Sequence, residues 1–268
     1  MHGMQSTESG SRSQREEEVT LVVCSENPRA ILEAISALTV IGDFRLHASD
    51  TLNVHDRYFD TADMSLWDRH VVLRLRQIES KRWITFKGPS RTDEDGFASR
   101  LEVEAEWSDH ALTETLNQLA KSGIELPLKA NAGDRSDPLD LFNALGLVVV
   151  QDRETLRMVR NIVPLADDGA LAAAQLVLDS VSYRFHEMNV RHSEVEIEAL
   201  TSDGARVLKT LAENLRDRFG GALQRWNHSK LATGWAIENL WHDLDMAGCI
   251  KDGHLLPAAY EQIDRFLR

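Results

Sequence analysis

The sequence predicts an α+β protein in which about eight strands, nearly all charged along one face, alternate with amphipathic helices. Three segments lead to that reading. Val71–Gln77 places Arg74 and Arg76 two apart, Trp83–Lys87 ends in a lysine, and Arg100–Glu106 sets Arg100, Glu102, Glu104 and Glu106 on one parity. Residues two apart in a strand share a face, so each segment has an apolar side and a charged side. The pattern returns at Arg153, Thr155 and Arg157, at Asp179, and at Glu194, Glu196 and Glu198. If the charged faces point to solvent, the apolar faces fill one interior and the fold is a sandwich. If they point inward, the strands close into an antiparallel eight-stranded β-barrel with a polar lumen, and the helices pack on its apolar outside. A barrel of that size can hold one small ligand. Inward charges are costly unless paired or bound, so the second arrangement predicts a highly charged guest.

Taken in order, Met1–Gln14 is polar and reads as a disordered leader without the apolar middle of a signal peptide. Glu16–Val23 alternates, with Glu16, Glu18 and Thr20 opposite Val19, Leu21 and Val23. A helix follows, with Asn27 as cap, Pro28 at its first position, Ile31, Ala34, Ile35 and Leu38 at helical spacing, and Gly42 as its stop. Leu52–Asp60 reads as a strand and Thr61–Asp68 as a turn into the charged segments. Gly88–Gly96 is a polar connection, and Ser108–Lys121 a helix striped by Leu112, Leu116 and Leu119. Ser122–Ser136 reads as a loop, followed by a short helix capped by Asp137. Strands over Gln151–Val163, Ala174–Ser180 and Glu194–Leu200 precede a helix from Asp203 to about Arg218. After Gly220–Gly221, a helix from about Asn227 carries Lys230 near its start, and another closes the chain from about Leu256.

Composition narrows the function. The chain has 268 residues, 43% hydrophobic and 27% charged, and a formal net charge of −13. That charge argues against a nucleic-acid or membrane-surface binder, which needs a basic footprint. It permits a small anion held in a local nest of Arg and Lys. No apolar run approaches a membrane span, so a cytoplasmic protein is expected. Two cysteines, Cys24 and Cys249, make neither a disulfide framework nor a zinc knuckle, and ten scattered histidines show no metalloprotease spacing. His228 beside Ser229 is no evidence of a triad, and the glycines form no Walker-type or dinucleotide loop.

The order of these pieces resembles the CYTH superfamily, the triphosphate tunnel metalloenzymes. The matching pieces begin with Glu16-Glu17-Glu18-Val19-Thr20, in place of a Glu-x-Glu-x-Lys opening, and Tyr58-Phe59-Asp60-Thr61. They continue with Leu73-Arg74-Leu75-Arg76, Thr85-Phe86-Lys87 and Arg100-Leu101-Glu102-Val103-Glu104. The second half supplies Arg153, Leu178-Asp179, Glu194 to Glu198, and Ser229-Lys230 followed by Gly234. The second half is most similar to the bacterial inorganic triphosphatases, without the CHAD domain that some of them carry.

The resemblance implies a tunnel domain over residues 15–235, after a leader at 1–14 and before a helical extension at 236–268. It implies metal-dependent hydrolysis of inorganic tripolyphosphate to pyrophosphate and phosphate. Nucleoside or thiamine triphosphates are the alternative substrates, and a weakly catalytic polyphosphate-binding module is the alternative class. Glu16, Glu18, Lys87 and Lys230 are the implied catalytic residues. Arg74, Arg76, Lys87, Arg100, Arg153, Arg157 and Lys230 would bind phosphate. Glu16, Glu18, Glu102, Glu104, Asp179, Glu194, Glu196 and Glu198 would supply hard oxygen ligands for Mg2+ or Mn2+, with Glu102 and Glu104 open to a second role of holding the arginines. The expected partner is a small anionic substrate, with no nucleic acid, no membrane and an open oligomeric state. Thr20 departs from the family, which has a lysine there. Ser13-Gln14-Arg15 stand where the adenylyl cyclase branch carries a His-Phe pair, so cyclisation ranks low.

Overall fold

The computed structural model describes residues 12–92, 98–126, 137–166, 171–185, 188–201, 204–242 and 247–268. The first half comprises β1 (Arg12–Val23), α1 (Pro28–Ser36), β2 (Val40–Ile41), β3 (Phe44–Thr61), α2 (Ser65–Asp68), β4 (Val72–Ile78), β5 (Lys81–Lys87), β6 (Arg91–Thr92), β7 (Ala98–Glu106) and α3 (Asp109–Lys121). There follow α4 (Pro138–Ala144), β8 (Leu147–Pro164), β9 (Ala174–Arg184), β10 (Asn189–Ala199), α5 (Gly204–Phe219), β11 (Leu223–Arg225) and α6 (Lys230–His242). A short hairpin of β12 (Ile250–Lys251) and β13 (His254–Leu255) leads to α7 (Pro257–Leu267).

The fold is mixed α+β. Among the described residues the hydrogen-bonded strand order is β11-β1-β7-β5-β4-β3-β8-β9-β10-β13-β12, with a further pairing of β1 to β10. Eight strands, β1, β7, β5, β4, β3, β8, β9 and β10, therefore form a ring of pairings. The pairs β4–β5, β5–β7, β8–β9, β9–β10 and β1–β10 are antiparallel. No helix of the described residues is long and apolar enough to cross a membrane.

The chain divides into two compact units, one including Asp56–Ser90 and Arg100–Val150, the other Glu16–His55, Arg91–Ser99 and Gln151–Arg268. In the first, Leu73 and Leu75 of β4, Ile84 and Phe86 of β5 and Val103 of β7 bury one sheet face against Leu112 and Leu119 of α3 and Leu141 and Phe142 of α4. In the second, Val19, Leu21 and Val23 of β1 meet Leu176 and Leu178 of β9, Val195 and Ile197 of β10, and α1 and α5. A further cluster joins Val181, Tyr183 and Val190 to Ile237 of α6 and Tyr260 and Ile263 of α7.

The helix caps follow the chemistry of the sequence. Asn27 accepts a hydrogen bond from the Ala30 amide, Ser108 from that of Ala111, and Asp137 from that of Leu139. Gly42 does not stop α1, which ends at Ser36. It instead takes a φ of +53° in the turn that pairs β2 with β3. β1 begins at Arg12, inside the stretch read as leader; residues 1–11 lie outside the described residues. The short strands β12 and β13 were too brief to stand out by alternation.

Candidate metal and phosphate centre

The strand periodicity sets both charged clusters. In the first unit, Arg74 stands opposite Thr85 and Thr85 opposite Glu104, while Lys87 faces Glu102. The apolar alternates point into the core, which leaves these side chains together on the other face. The Arg74 guanidinium donates to Glu104 at 2.7 Å and to the Thr85 hydroxyl at 3.1 Å, and lies 3.5 Å from Glu102. Thr85 donates to the same Glu104 oxygen at 2.7 Å. Arg76 grips Asp56 with two bonds of 2.8 and 3.0 Å, and Lys87 reaches Glu102 at 3.0 Å. Burial pushes the Glu104 carboxyl up, but Arg74, Arg76, the Thr85 bond and Lys87 outweigh it and hold the group at about 2. Arg100 is half-buried on the same strand parity as Glu102.

In the second unit the register sets Arg157 opposite Asp179 and Asp179 opposite Glu194. Glu196 stands opposite Thr20, and Glu198 opposite Glu18. Arg157 forks onto Asp179 at 2.9 and 2.7 Å and also donates to Glu196 at 3.0 Å. The Lys230 ammonium lies 3.1 Å from Asp179 and 2.6 Å from Glu196, and contacts Glu194 as well. Asp179, Glu194 and Glu196 are all buried, at 0%, 1% and 8% exposure. Desolvation alone would raise the Asp179 carboxyl, but Arg157 and Lys230 hold it below its ordinary range. Lys230 and Glu194 hold each other ionised in the same way, against the cost of burial.

Lys230 is itself placed by its backbone. It is the first residue of α6, and the Ser229 hydroxyl accepts from the Ala232 amide as a cap. The Tyr183 hydroxyl donates to the Lys230 carbonyl at 2.8 Å, and the Gln151 amide to the Leu231 carbonyl at 3.1 Å. A Cβ on Gly234 would come within 2.3 Å of the Gln151 side chain and 2.6 Å of the Tyr183 ring, so glycine lets α6 approach both. Buried Arg153 bonds to the Gln151 side chain at 3.3 Å.

Among the described residues, two groups of carboxylates have ligand oxygens within 4.8 Å of one another: Asp179, Glu194 and Glu196, and Glu18, Glu196 and Glu198. Both sets are hard oxygen donors of the kind that suits Mg2+ or Mn2+. The first set already surrounds the Lys230 ammonium, so a cation there competes with it; the second set fits a metal ion better. The main chain of Glu16 lies in β1, but its side chain falls outside the described residues.

Sequence reasoning missed three participants. Asp56, 1% exposed, neutralises Arg76 and lies 3.9 Å from Arg74; its signal was its shared parity with Tyr58 and Asp60. His192 bonds to Glu194 at 2.7 Å, and its signal was its place two residues before Glu194. Tyr183, which anchors Lys230, carried no signal in the sequence. Asp60, in the Tyr-Phe-Asp-Thr step, is a local anchor: its carboxylate accepts the amides of Thr61, Leu66 and Trp67.

Residues 29–222 match the CYTH domain family model. That is more than half of the chain, and the protein belongs to the CYTH family. No curated protein matches the sequence. Solved structures do. A proposed adenylyl cyclase from Hippeastrum, described as having a dominant triphosphatase activity, is 21% identical; the alignment covers 82% of this chain and 95% of that one, with a TM-score of 0.53. A protein of Pyrococcus horikoshii OT3 is 18% identical over 83% of this chain and 99% of that one, at a TM-score of 0.49. A proposed adenylate cyclase of Bacillus halodurans is 20% identical over 82% and 96%, at 0.47. The likeness to the Hippeastrum protein is one of fold.

Proposed function

We propose that this protein hydrolyses inorganic tripolyphosphate to pyrophosphate and phosphate, with Mg2+ or Mn2+ held by Glu18, Glu196 and Glu198. The observation that carries the reading is the buried meeting of Arg157 and Lys230 with Asp179, Glu194 and Glu196. Buried charge in this excess is costly without a highly charged guest. A bound divalent cation would neutralise phosphate oxygens and make a nucleophile of water at neutral pH. Arg157 and Lys230 bind and orient non-bridging oxygens, and Arg74, Arg76, Lys87, Arg100 and Arg153 are further phosphate ligands in this reading. Glu102 and Glu104 hold Lys87 and Arg74 in place. Glu16 is a further metal ligand in this reading. The proposal keeps the expectation that the eight strands enclose a polar lumen. The activity described for the Hippeastrum protein accords with it.

Thr20 supplies no charge where the family has a lysine. It stands opposite Glu196, and Lys230 brings a cation to that same carboxylate. The test is phosphate release from tripolyphosphate by purified protein with Mg2+ or Mn2+, at neutral to alkaline pH. Release at a rate that falls with EDTA is expected; no release under any of these conditions ends the reading. Cyclic AMP in place of phosphate from ATP would point to a cyclase.

The second reading, a module that holds polyphosphate and turns it over poorly, rests on Thr20 alone. Thr20→Lys separates the two. A large gain in turnover with little change in ligand affinity marks the natural protein as a weakened catalyst, and no gain favours compensation by another residue.

A further inference from the structure

Helix α7 reaches the centre from outside the matched family segment, which ends at residue 222. The Tyr260 hydroxyl lies 3.1 Å from His192 Nδ1, and His192 Nε2 lies 2.7 Å from Glu194 Oε2. All three residues are at most 3% exposed. One helical turn beyond Tyr260, Asp264 Oδ1 lies 2.9 Å from Nε2 of His228, two residues ahead of Lys230. Tyr260 and Asp264 are four apart and share a helix face.

The direction of these bonds follows from their partners. An ionised Glu194 only accepts, so His192 Nε2 carries the hydrogen and donates, leaving Nδ1 to accept from Tyr260. Burial pushes the Tyr260 phenol well above its ordinary range, so it keeps the proton it donates. Glu194 thus divides its oxygens: Oε2 to His192, Oε1 to the Lys230 ammonium. Without His192, Oε2 would be a buried oxygen in need of a donor, and the carboxylate would turn toward Lys230.

We propose that α7 is a positioning element of the site: Tyr260, through His192, sets the Glu194 carboxylate, while Asp264, through His228, sets the chain that enters Lys230. The two ends of the Lys230–Glu194 pair are then held from one helix face. The proposal rests on the reading of Lys230 as a phosphate ligand. Neither histidine touches substrate; both act through their neighbours.

The test is tripolyphosphate binding by calorimetry in EDTA, where no metal-dependent turnover intervenes. Tyr260→Phe keeps the ring, which packs edge-on against Trp226 at 5.6 Å, so the fold should hold, with a thermal midpoint lowered only by the loss of the bond to His192. Its affinity should fall about tenfold, the lower end of what losing an outer-shell partner costs at metal sites. Asp264→Asn should weaken binding by a smaller factor, and it serves as a second variant if Tyr260→Phe does not fold. Lys230→Met should lose most binding. Wild-type affinity in both α7 variants, with loss in Lys230→Met, overturns the role of α7 and leaves Lys230 as a phosphate ligand. A wild type that binds no tripolyphosphate, or a Lys230→Met that binds as wild type does, overturns the phosphate role of Lys230 and the α7 proposal with it.

Discussion

In the unit built on Asp56–Ser90 and Arg100–Val150, Arg74, Arg76 and Lys87 meet Asp56, Glu102 and Glu104, three cations against three carboxylates. In the unit that includes Gln151–Arg268, Arg157 and Lys230 meet Asp179, Glu194 and Glu196, with Glu18 and Glu198 within ligand distance of Glu196. Both clusters draw on one device, alternate residues on neighbouring strands, to which the second adds Lys230 from the start of α6. Their balance differs. The first pairs Arg74, Arg76 and Lys87 each with a carboxylate and could offer these cations to an anion by trading partners. In the second, Asp179, Glu194 and Glu196 share Arg157 and Lys230 and bring their oxygens within ligand distance of one another, the arrangement that favours a divalent cation.

The largest expected effect tests the second cluster. Lys230→Met removes the cation from three buried carboxylates and should destabilise the protein by roughly 3–5 kcal/mol, read by urea unfolding. Added Mn2+ should raise the variant's unfolding midpoint by more than the wild type's, because a cation can take the ammonium's place. Equal shifts in both proteins would mean that a divalent cation does not take the ammonium's place among the carboxylates.

Arg74→Ala probes the balanced cluster. It takes the guanidinium from Glu104, which keeps the Thr85 hydroxyl, while Asp56 keeps Arg76, and it should cost about 3 kcal/mol in the same assay. Here Mn2+ should restore little. Rescue equal to that of Lys230→Met would erase the distinction between the clusters.

Much of this was legible in the sequence, because parity is a local property. The strand faces of Arg74, Arg76, Lys87, Glu194 and Glu196 followed from spacing alone, as did the caps at Asn27 and Asp137. What spacing could not give was partner choice across strands. Asp56 carried only its parity, since its role depends on Arg76 of another strand, and His192 only its place two residues before Glu194. The place of Lys230 depends on Tyr183 and Gln151, distant in sequence, and on the close approach that Gly234 permits.

A smaller effect concerns pH. Glu104 is held at about 2 against an ordinary value of 4.5. A depressed carboxyl contributes stability that is complete above its unfolded value and is lost as pH falls through its folded one. Glu104→Gln should therefore cost about 1 kcal/mol at neutral pH, with the difference from wild type shrinking between pH 4.5 and about 2. A difference that persists to the acid end of that range would assign the loss to packing.

The central claim is that the acid-rich cluster is a divalent-cation site, and Glu196 is the residue common to both candidate ligand sets. The direct measurement is Mn2+ binding by wild type and by Glu196→Gln, followed by calorimetry without substrate. The account predicts saturable binding by the wild type and an affinity at least about tenfold weaker in the variant. Equal Mn2+ affinity in the two proteins would contradict it.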